Sequence, residues 1–499
     1  MGPMPKQGAS AAATLAAALA MLALPACLGG ATPAHARPLA TGIADPLSTD
    51  TGDPLVFSRV RQAGSRFVRL TALWHTIAPA ARPVIWNPTS PLDPSYRWSQ
   101  LDGEVRAAVQ ARLTPLIQVY GAPSWANRCQ IQNDADAPCD PDPAAFGDFA
   151  TALARRYDGS LPGLPRVRYF QAENEPNLFL FFKPQRRNGR PVSPRLYRAL
   201  LNRFGAAVKS VHGSNRVVAA GLAPLKRPGS IAPLDFARRL LCMRGRRHPR
   251  PAGRGCGKGV RFDIFSVHPY TTGGPTHSAR GRDDVSLGDL PEVRRLLRAA
   301  DRAHRIRGAF RHTPLWITEF GWDTNPPDPN GLRMGIAARW ASEALYRAWL
   351  AGVKAFFWYE LRDNPADGAP NSEVAQSGLW LRGATLAEDR PKGTLEAFRF
   401  PLVAFGRARG TLVWGRTPHG RAGDVKLQAR RGRGRWRGLR RAHAGRGGIF
   451  RVRLHKRLGK RYSARAVFRG EASVPFSLRR VPDFYQPPFG RYASGLRRY

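Results

Sequence analysis

Residues 167–178 read VRYFQAENEPNL, and the whole chain can be read outward from this stretch. Val167 to Phe170 is an apolar run of strand length, and two acids, Glu173 and Glu175, follow at its C-terminal end. Carboxylates leaving a buried strand in this direction suit a parallel α/β barrel, where the loops at the C-terminal ends of the strands carry the functional groups. Strand-like runs of the same kind recur at 41–44, 67–73, 113–120, 216–222, 262–268, 315–320 and 355–361. Together with 167–172 they make eight. Between them lie stretches with apolar residues three and four apart, at 101–112, 143–157, 194–212, 289–305 and 332–351, which predict amphipathic helices. Alternating strands and helices imply a parallel sheet, and eight such units within residues 41–401 predict a (β/α)8 TIM barrel. A doubly wound sheet competes, but no glycine-rich phosphate turn follows the first run.

The 499 residues leave room for more than this barrel, and a 43% hydrophobic content is ample for a core. A formal net charge of +44 raises nucleic acid, anionic membranes and acidic polymers as partners. The excess is mostly arginine in a chain also rich in Ala, Gly and Pro, so compositional bias accounts for much of it. The N-terminus has Lys6, an Ala/Leu-rich stretch from Ala11 to Leu28, and then Ala34-His35-Ala36, the small-x-small form of a secretory cleavage site. Residues 1–36 are therefore expected to be a signal peptide. An uncleaved anchor and a lipoprotein attached at Cys27 stay open as alternatives. The other cysteines form two close pairs, Cys129 with Cys139 and Cys242 with Cys256, which suits disulfides in an exported protein.

After Phe405 the composition changes. Between Gly406 and Arg480 the only acids are Asp424 and Glu471, and short runs alternate apolar with polar residues. That pattern predicts a small basic all-β, sandwich-like domain over 406–480, following a barrel domain over 37–405. Residues 481–499 read as a tail.

The acids in the barrel define the chemistry to look for. Hydrolysis of a glycosidic bond with retention needs two carboxyl groups about 5–5.5 Å apart, one to protonate the leaving oxygen and one to attack the anomeric carbon. Strand four ends in Asn174-Glu175-Pro176, and strand seven ends in ITEF with Glu319. In these motifs the chain resembles the clan A glycoside hydrolases. The tetrapeptide NEPN is most similar to family 39, and the HPY after strand six also suits family 5 cellulase-like proteins. The resemblance implies Glu175 as general acid/base and Glu319 as nucleophile. It further implies a sugar subsite built from Arg69, Asn174, His268, Tyr270 and Trp358. The histidine usual at the end of strand three is missing, so Tyr120 or Trp125 is expected to stand in, or else His75 from strand two supplies the missing polar contact instead. Indole faces at Trp74, Trp125, Trp322 and Trp358 are expected against sugar rings.

Glu173 reads as support for the site, and Glu360 and Asp363 as structurally paired acids. The expected protein is a secreted, monomeric, retaining β-glycosidase acting on a poly- or oligosaccharide, with no metal or organic cofactor required and no nucleic acid as partner. Its β domain is expected to be either an inert spacer or a holder of an anionic cell-wall polymer. A non-catalytic cell-surface barrel that binds glycan or anionic polymer is the alternative.

Overall fold

The computed structural model describes Gly2 and residues 37–129, 138–253, 259–271, 273–365 and 376–481. The expected leader over 1–36 therefore lies outside the described residues apart from Gly2, as do Cys256 and nearly all of the tail.

Eight parallel strands close into a barrel in which each strand pairs with its neighbours in chain order. They are β1 (Ala40–Ala44), β2 (Phe67–Leu73), β3 (Thr114–Tyr120), β4 (Tyr169–Ala172), β5 (Arg216–Leu222), β6 (Ile264–Val267), β7 (Leu315–Ile317) and β8 (Val353–Trp358). β1 closes the ring by pairing with both β2 and β8. The helices that cover the ring include α1 (Pro54–Gln62), α2 (Ser99–Gln110), α3 (Pro143–Arg156), α4 (Ser193–Val211), α5 (Pro233–Leu240), α6 (Leu290–Arg302), α7 (Met334–Leu350) and α8 (Gly393–Arg399). Several begin with an aspartate cap followed by proline: Asp53 accepts from the Leu55 N–H and Asp142 from the Ala144 N–H.

The two-residue period of the strands sorts their side chains between two cores. Phe67, Leu116, Val218, Ile264, Trp316 and Phe357 turn inward and fill the barrel. Phe67 and Trp316 meet there with ring centroids 5.1 Å apart. The alternate positions turn outward and join the strand–helix core, in which Phe170, Phe265 and Phe356 are buried. A filled interior makes the barrel a rigid platform, so only residues at or above its upper rim can line a site.

The C-terminal region is all-β, as expected. Strands β9 (Leu402–Arg407), β10 (Gly410–Arg416) and β13 (Ile449–Leu454) form one antiparallel sheet, and β11 (Gly423–Arg431), β12 (Arg437–Ala444) and β14 (Tyr462–Phe468) belong to a second. Its first strand begins at Leu402, directly after Pro401. Trp414 of β10, fully buried, packs on Tyr346 and Trp349 of α7 at 5.4 and 5.7 Å between centroids. Arg399 of α8 makes an ion pair with Glu471. These contacts seat the β domain firmly against the barrel's helical layer.

Candidate active site

A cavity of about 230 Å³ opens where β4, β5, β6, β7 and β8 release their loops, and its lining includes Arg69, Asn174, Glu175, Tyr270, Glu319 and Tyr359. Glu175 and Glu319 reach it from the ends of β4 and β7, and both are largely buried. His268 lies between them. Its Nδ1 is 2.8 Å from Glu175 Oε1 and 3.4 Å from Glu319 Oε2, and its Nε2 is 3.0 Å from Thr318 Oγ1. An oxygen of each carboxyl and a ring nitrogen of His268 all lie within 4.8 Å of one another.

The surroundings of the two carboxyls differ. Arg69 Nη2 donates to Glu319 Oε1 at 2.6 Å, and the Tyr270 hydroxyl donates to Oε2 at 3.1 Å. Burial alone would raise the Glu319 pKa, but His268, the Arg69 guanidinium and Tyr270 outweigh it and hold this carboxyl below its ordinary value. Glu175 is raised. Burial is the largest cause, and the nearby Glu319 charge adds to it, against the opposing contact with His268. Their environments thus push the two carboxyls in opposite directions, Glu319 down and Glu175 up.

Asn174 is oriented from below. Gln118 Nε2 donates to Asn174 Oδ1 at 2.9 Å, which fixes the amide carbonyl and leaves the NH2 end as the donor. Asn177, the last residue of NEPN, has a structural task. It bonds to Ala223 and Ile231 and ties the loop after β4 to the loop after β5. Glu173 is buried with one carboxyl oxygen unpartnered, and burial pushes its pKa well up.

The tryptophans stand apart from the cavity. Trp358 is the outward residue of its pair: it packs on Trp322 and Phe398, and its indole N–H is held by Ser377 O at 2.7 Å. Strand parity turns the following Tyr359 inward, in line with Phe357, and Tyr359 lines the cavity. Trp125 packs edge-on to Trp74 and Trp86 and donates to Pro79 O at 2.9 Å. Trp74 and Trp322 are buried in the strand–helix core. His75 Nδ1 lies 3.2 Å from Gly121 O. Tyr120, weighed as a stand-in at the end of β3, does line the cavity, beside Phe181. Thr71, Gln118 and Arg227 also line it and were not singled out from sequence. Thr71 and Gln118 were legible as strand positions sharing a face with Arg69 and Leu116; Arg227 sits in a loop where no period applies.

Gly221 holds the floor of the site together. It lies in a β-bulge between β5 and β6 with φ of +68°, and a Cβ there would stand 2.8 Å from His268 Nε2 and 2.9 Å from Gln171 Nε2. Gly221→Ala is expected to push His268 off both carboxyls and lower kcat/KM on any cleaved glycoside by about 10–100-fold. Circular dichroism would check that the fold is kept. Unchanged kinetics would remove His268 from the positioning of Glu175.

Among the described residues, Glu175, His268 and Glu319 are the acid and histidine groups that come close enough to hold a cation. A metal between them would face the Arg69 guanidinium already bonded to Glu319, so the set suits proton transfer better.

The acids after β8 divide. Asp363 pairs with Lys392 at 2.5 Å, as expected of a structural acid. Glu360 is fully buried with neither carboxyl oxygen in a well-formed hydrogen bond. Burial, reinforced by the Asp45 charge, raises its pKa well above 4.5. Because the folded state then binds this proton more tightly than the unfolded chain, stability is full below about pH 4.5. It falls by up to ~1.4 kcal/mol per pH unit as pH climbs towards the folded-state pKa. Glu360→Gln is therefore expected to raise Tm, with a gain that grows from pH 5 to pH 8. A gain independent of pH in thermal unfolding would contradict this.

Fold and site together define a (β/α)8 barrel with a buried carboxylate pair across strands four and seven. Solved structures similar to it include a family 39 glycoside hydrolase from Bacteroides cellulosilyticus, at 14% identity and TM-score 0.49 over 87% of this chain and 81% of the other. A monomeric beta-xylosidase from Caulobacter crescentus matches at 17% identity and TM-score 0.49, over 79% and 83%. A glucosidase from Croceicoccus marinus matches at 15% and 0.47, over 86% and 95%. No protein-family model and no curated protein matches the chain.

Proposed function

We propose that the protein is a glycoside hydrolase that cleaves β-linked glycans with retention, using Glu319 as nucleophile and Glu175 as general acid/base. The observation that supports this reading is that one oxygen of each carboxyl, together with a ring nitrogen of His268, lies within 4.8 Å of the others, a close approach in keeping with the short spacing of retaining enzymes. Retention requires groups about 5–5.5 Å apart, whereas inversion leaves room for a water at about 6.5–9.5 Å.

In the first step Glu319, ionised beside Arg69, attacks the anomeric carbon while Glu175 gives its proton to the departing oxygen. In the second, Glu175, now ionised and held by His268, takes a proton from water as that water displaces Glu319. Asn174 bonds the sugar's 2-hydroxyl, and Tyr359 and Tyr120 supply the aromatic walls that the tryptophans do not.

Export is part of the reading: the expected leader over 1–36 and the disulfide between Cys129 and Cys139 both suit an oxidising compartment. Cys242 is also disulfide-bonded, while its expected partner Cys256 lies outside the described residues. The basic β domain is proposed to hold an anionic cell-wall polymer.

The test is hydrolysis of a panel of aryl β-glycosides and β-linked polysaccharides, with the first-formed product followed by proton NMR. A β-anomer appearing first supports the reading. An α-anomer appearing first, or a silent panel with glycan binding retained, overturns it.

A further inference from the structure

The second sheet of the β domain buries one face and turns the other outward. Along β11, Val425, Leu427 and Ala429 are buried, while Lys426, Gln428 and Arg430 alternate with them and point away from the core. Pairing extends that outer face sideways: Lys426 stands directly opposite Arg441 of β12, and Gln428 opposite Arg465 of β14. Lys426, Arg430, Arg441 and Arg465 thus share one face. Residues 406–480 hold two acids to set against them, and both are engaged, Asp424 with His443 at 3.0 Å and Glu471 with Arg399 of the barrel. Among the described residues none of the four cations is in an ion pair. Like charges directly opposite on a sheet repel, so the Lys426–Arg441 pair destabilises the bare sheet and a bound anion would offset that.

Two of the four are held in place without an anion. Arg430 and Arg465 both lie over the Trp436 ring, at 4.6 and 4.3 Å from its centroid, and Arg465 Nε donates to Gln428 Oε1 at 2.8 Å. Stacking on an indole orders a guanidinium while leaving N–H groups on its edge to donate. Arg430 Nε is shielded from water and has no hydrogen-bond partner among the described residues, a donor that an incoming acceptor would satisfy. Across the sheet Gly438 faces Gln428, and a Cβ there would meet nothing within 4 Å, so the surface beside the stacked pair is open. An ordered guanidinium takes a carboxylate through two parallel bonds, and a polymer with a carboxylate on each unit would engage several of these cations at once.

We propose that the outer face of β11, β12 and β14 binds a polyuronate, with carboxylates paired to Arg430 and Arg465 and to the neighbouring Lys426 and Arg441. The inference rests on the reading of the β domain as a holder of anionic polymer, and takes the sugar from the glycosidase reading of the barrel. Binding of polygalacturonate to the full chain is measured by calorimetry, beside the same polymer with its carboxyls reduced to alcohols, inorganic polyphosphate and single-stranded DNA. Polygalacturonate is expected to bind tightest and to weaken about tenfold or more as salt rises to ~0.5 M, and the reduced polymer is expected not to bind. Arg430→Gln with Arg465→Gln should lower affinity about tenfold or more. Trp436→Leu, which leaves every charge in place, should lower it about three- to tenfold by releasing the two guanidinia. Arg295→Gln with Arg298→Gln, on the exposed side of α6, removes the same charge and should change affinity less than about twofold.

Equal losses from the two arginine pairs would assign the attraction to overall charge and overturn the site, as would full affinity in Trp436→Leu. Tighter binding of polyphosphate or DNA, or equal binding of the reduced polymer, would overturn the choice of polyuronate. Thermal unfolding checks that each variant folds. Hydrolysis of the aryl β-glycoside panel is scored separately, since none of the substituted residues lines the catalytic cavity. A silent panel with polygalacturonate bound as expected would sink the glycosidase reading and keep this face, and turnover with no polymer bound would do the reverse.

Discussion

Glu319→Gln is expected to abolish turnover, by about ten-thousand-fold or more in kcat, while the protein still folds and still binds glycan. The reason lies in what glutamine keeps. Its amide retains the size of the side chain, and its one oxygen can still accept from Arg69 Nη2 while the NH2 end donates to the Tyr270 hydroxyl oxygen. It cannot form the glycosyl ester, because an amide oxygen is a poor nucleophile and the charge that opposes the forming oxocarbenium is gone. Progress curves on the best substrate of the panel, with thermal unfolding beside them, check both halves. Near-normal turnover would remove Glu319 from the chemistry.

Glu175→Gln gives the second large effect, and its signature is in pH as well as rate. On the proposed mechanism, activity requires Glu319 ionised and Glu175 protonated. It should therefore fall on the acid side as pH drops through the depressed Glu319 pKa, and on the basic side as pH rises through the raised Glu175 pKa. Replacing Glu175 removes the group responsible for the basic limb. On poor leaving groups kcat/KM should drop about 10²–10⁴-fold. Dinitrophenyl glycosides, which leave without a proton, should suffer far less in the first step. A basic limb that survives unchanged in the variant would assign that ionisation to another residue.

Much of this arrangement could be read from the chain, for a physical reason. Barrel strands are apolar on both faces, so each stands out as an uninterrupted run bounded by polar residues. β2 and β5 begin and end where their runs do, at Phe67–Leu73 and Arg216–Leu222. β6 and β7 stop sooner than their runs, at Val267 and Ile317, because the residues beyond them, His268 and Glu319, turn into the site and no longer follow the ladder. The acids themselves stood out because each follows closely on a strand end, Glu175 three residues after Ala172 and Glu319 two after Ile317.

Side-chain direction was harder. An indole at a strand's last position looks like a sugar platform, yet parity sends Trp358 outward and Tyr359 inward. Following the alternation from Ala355 and Phe357 would have shown it. The places of Asn177 and Arg227 depend on loops meeting in space, which no local pattern encodes. Short helices such as α5 escaped notice because eight residues hold too few turns for a period to emerge.

The backbone at Glu175 has a consequence for anyone who engineers this chain. Glu175 adopts φ of +41°, and Glu173, two residues earlier, +66°. A side-chain-bearing residue in the left-handed region costs on the order of 1–2 kcal/mol, and Asn or Gly would sit there more comfortably. A library ranked by melting temperature alone would thus drift towards replacing the residue proposed as proton donor. Thermostability campaigns on this scaffold will select catalytically dead winners unless turnover is scored in the same round.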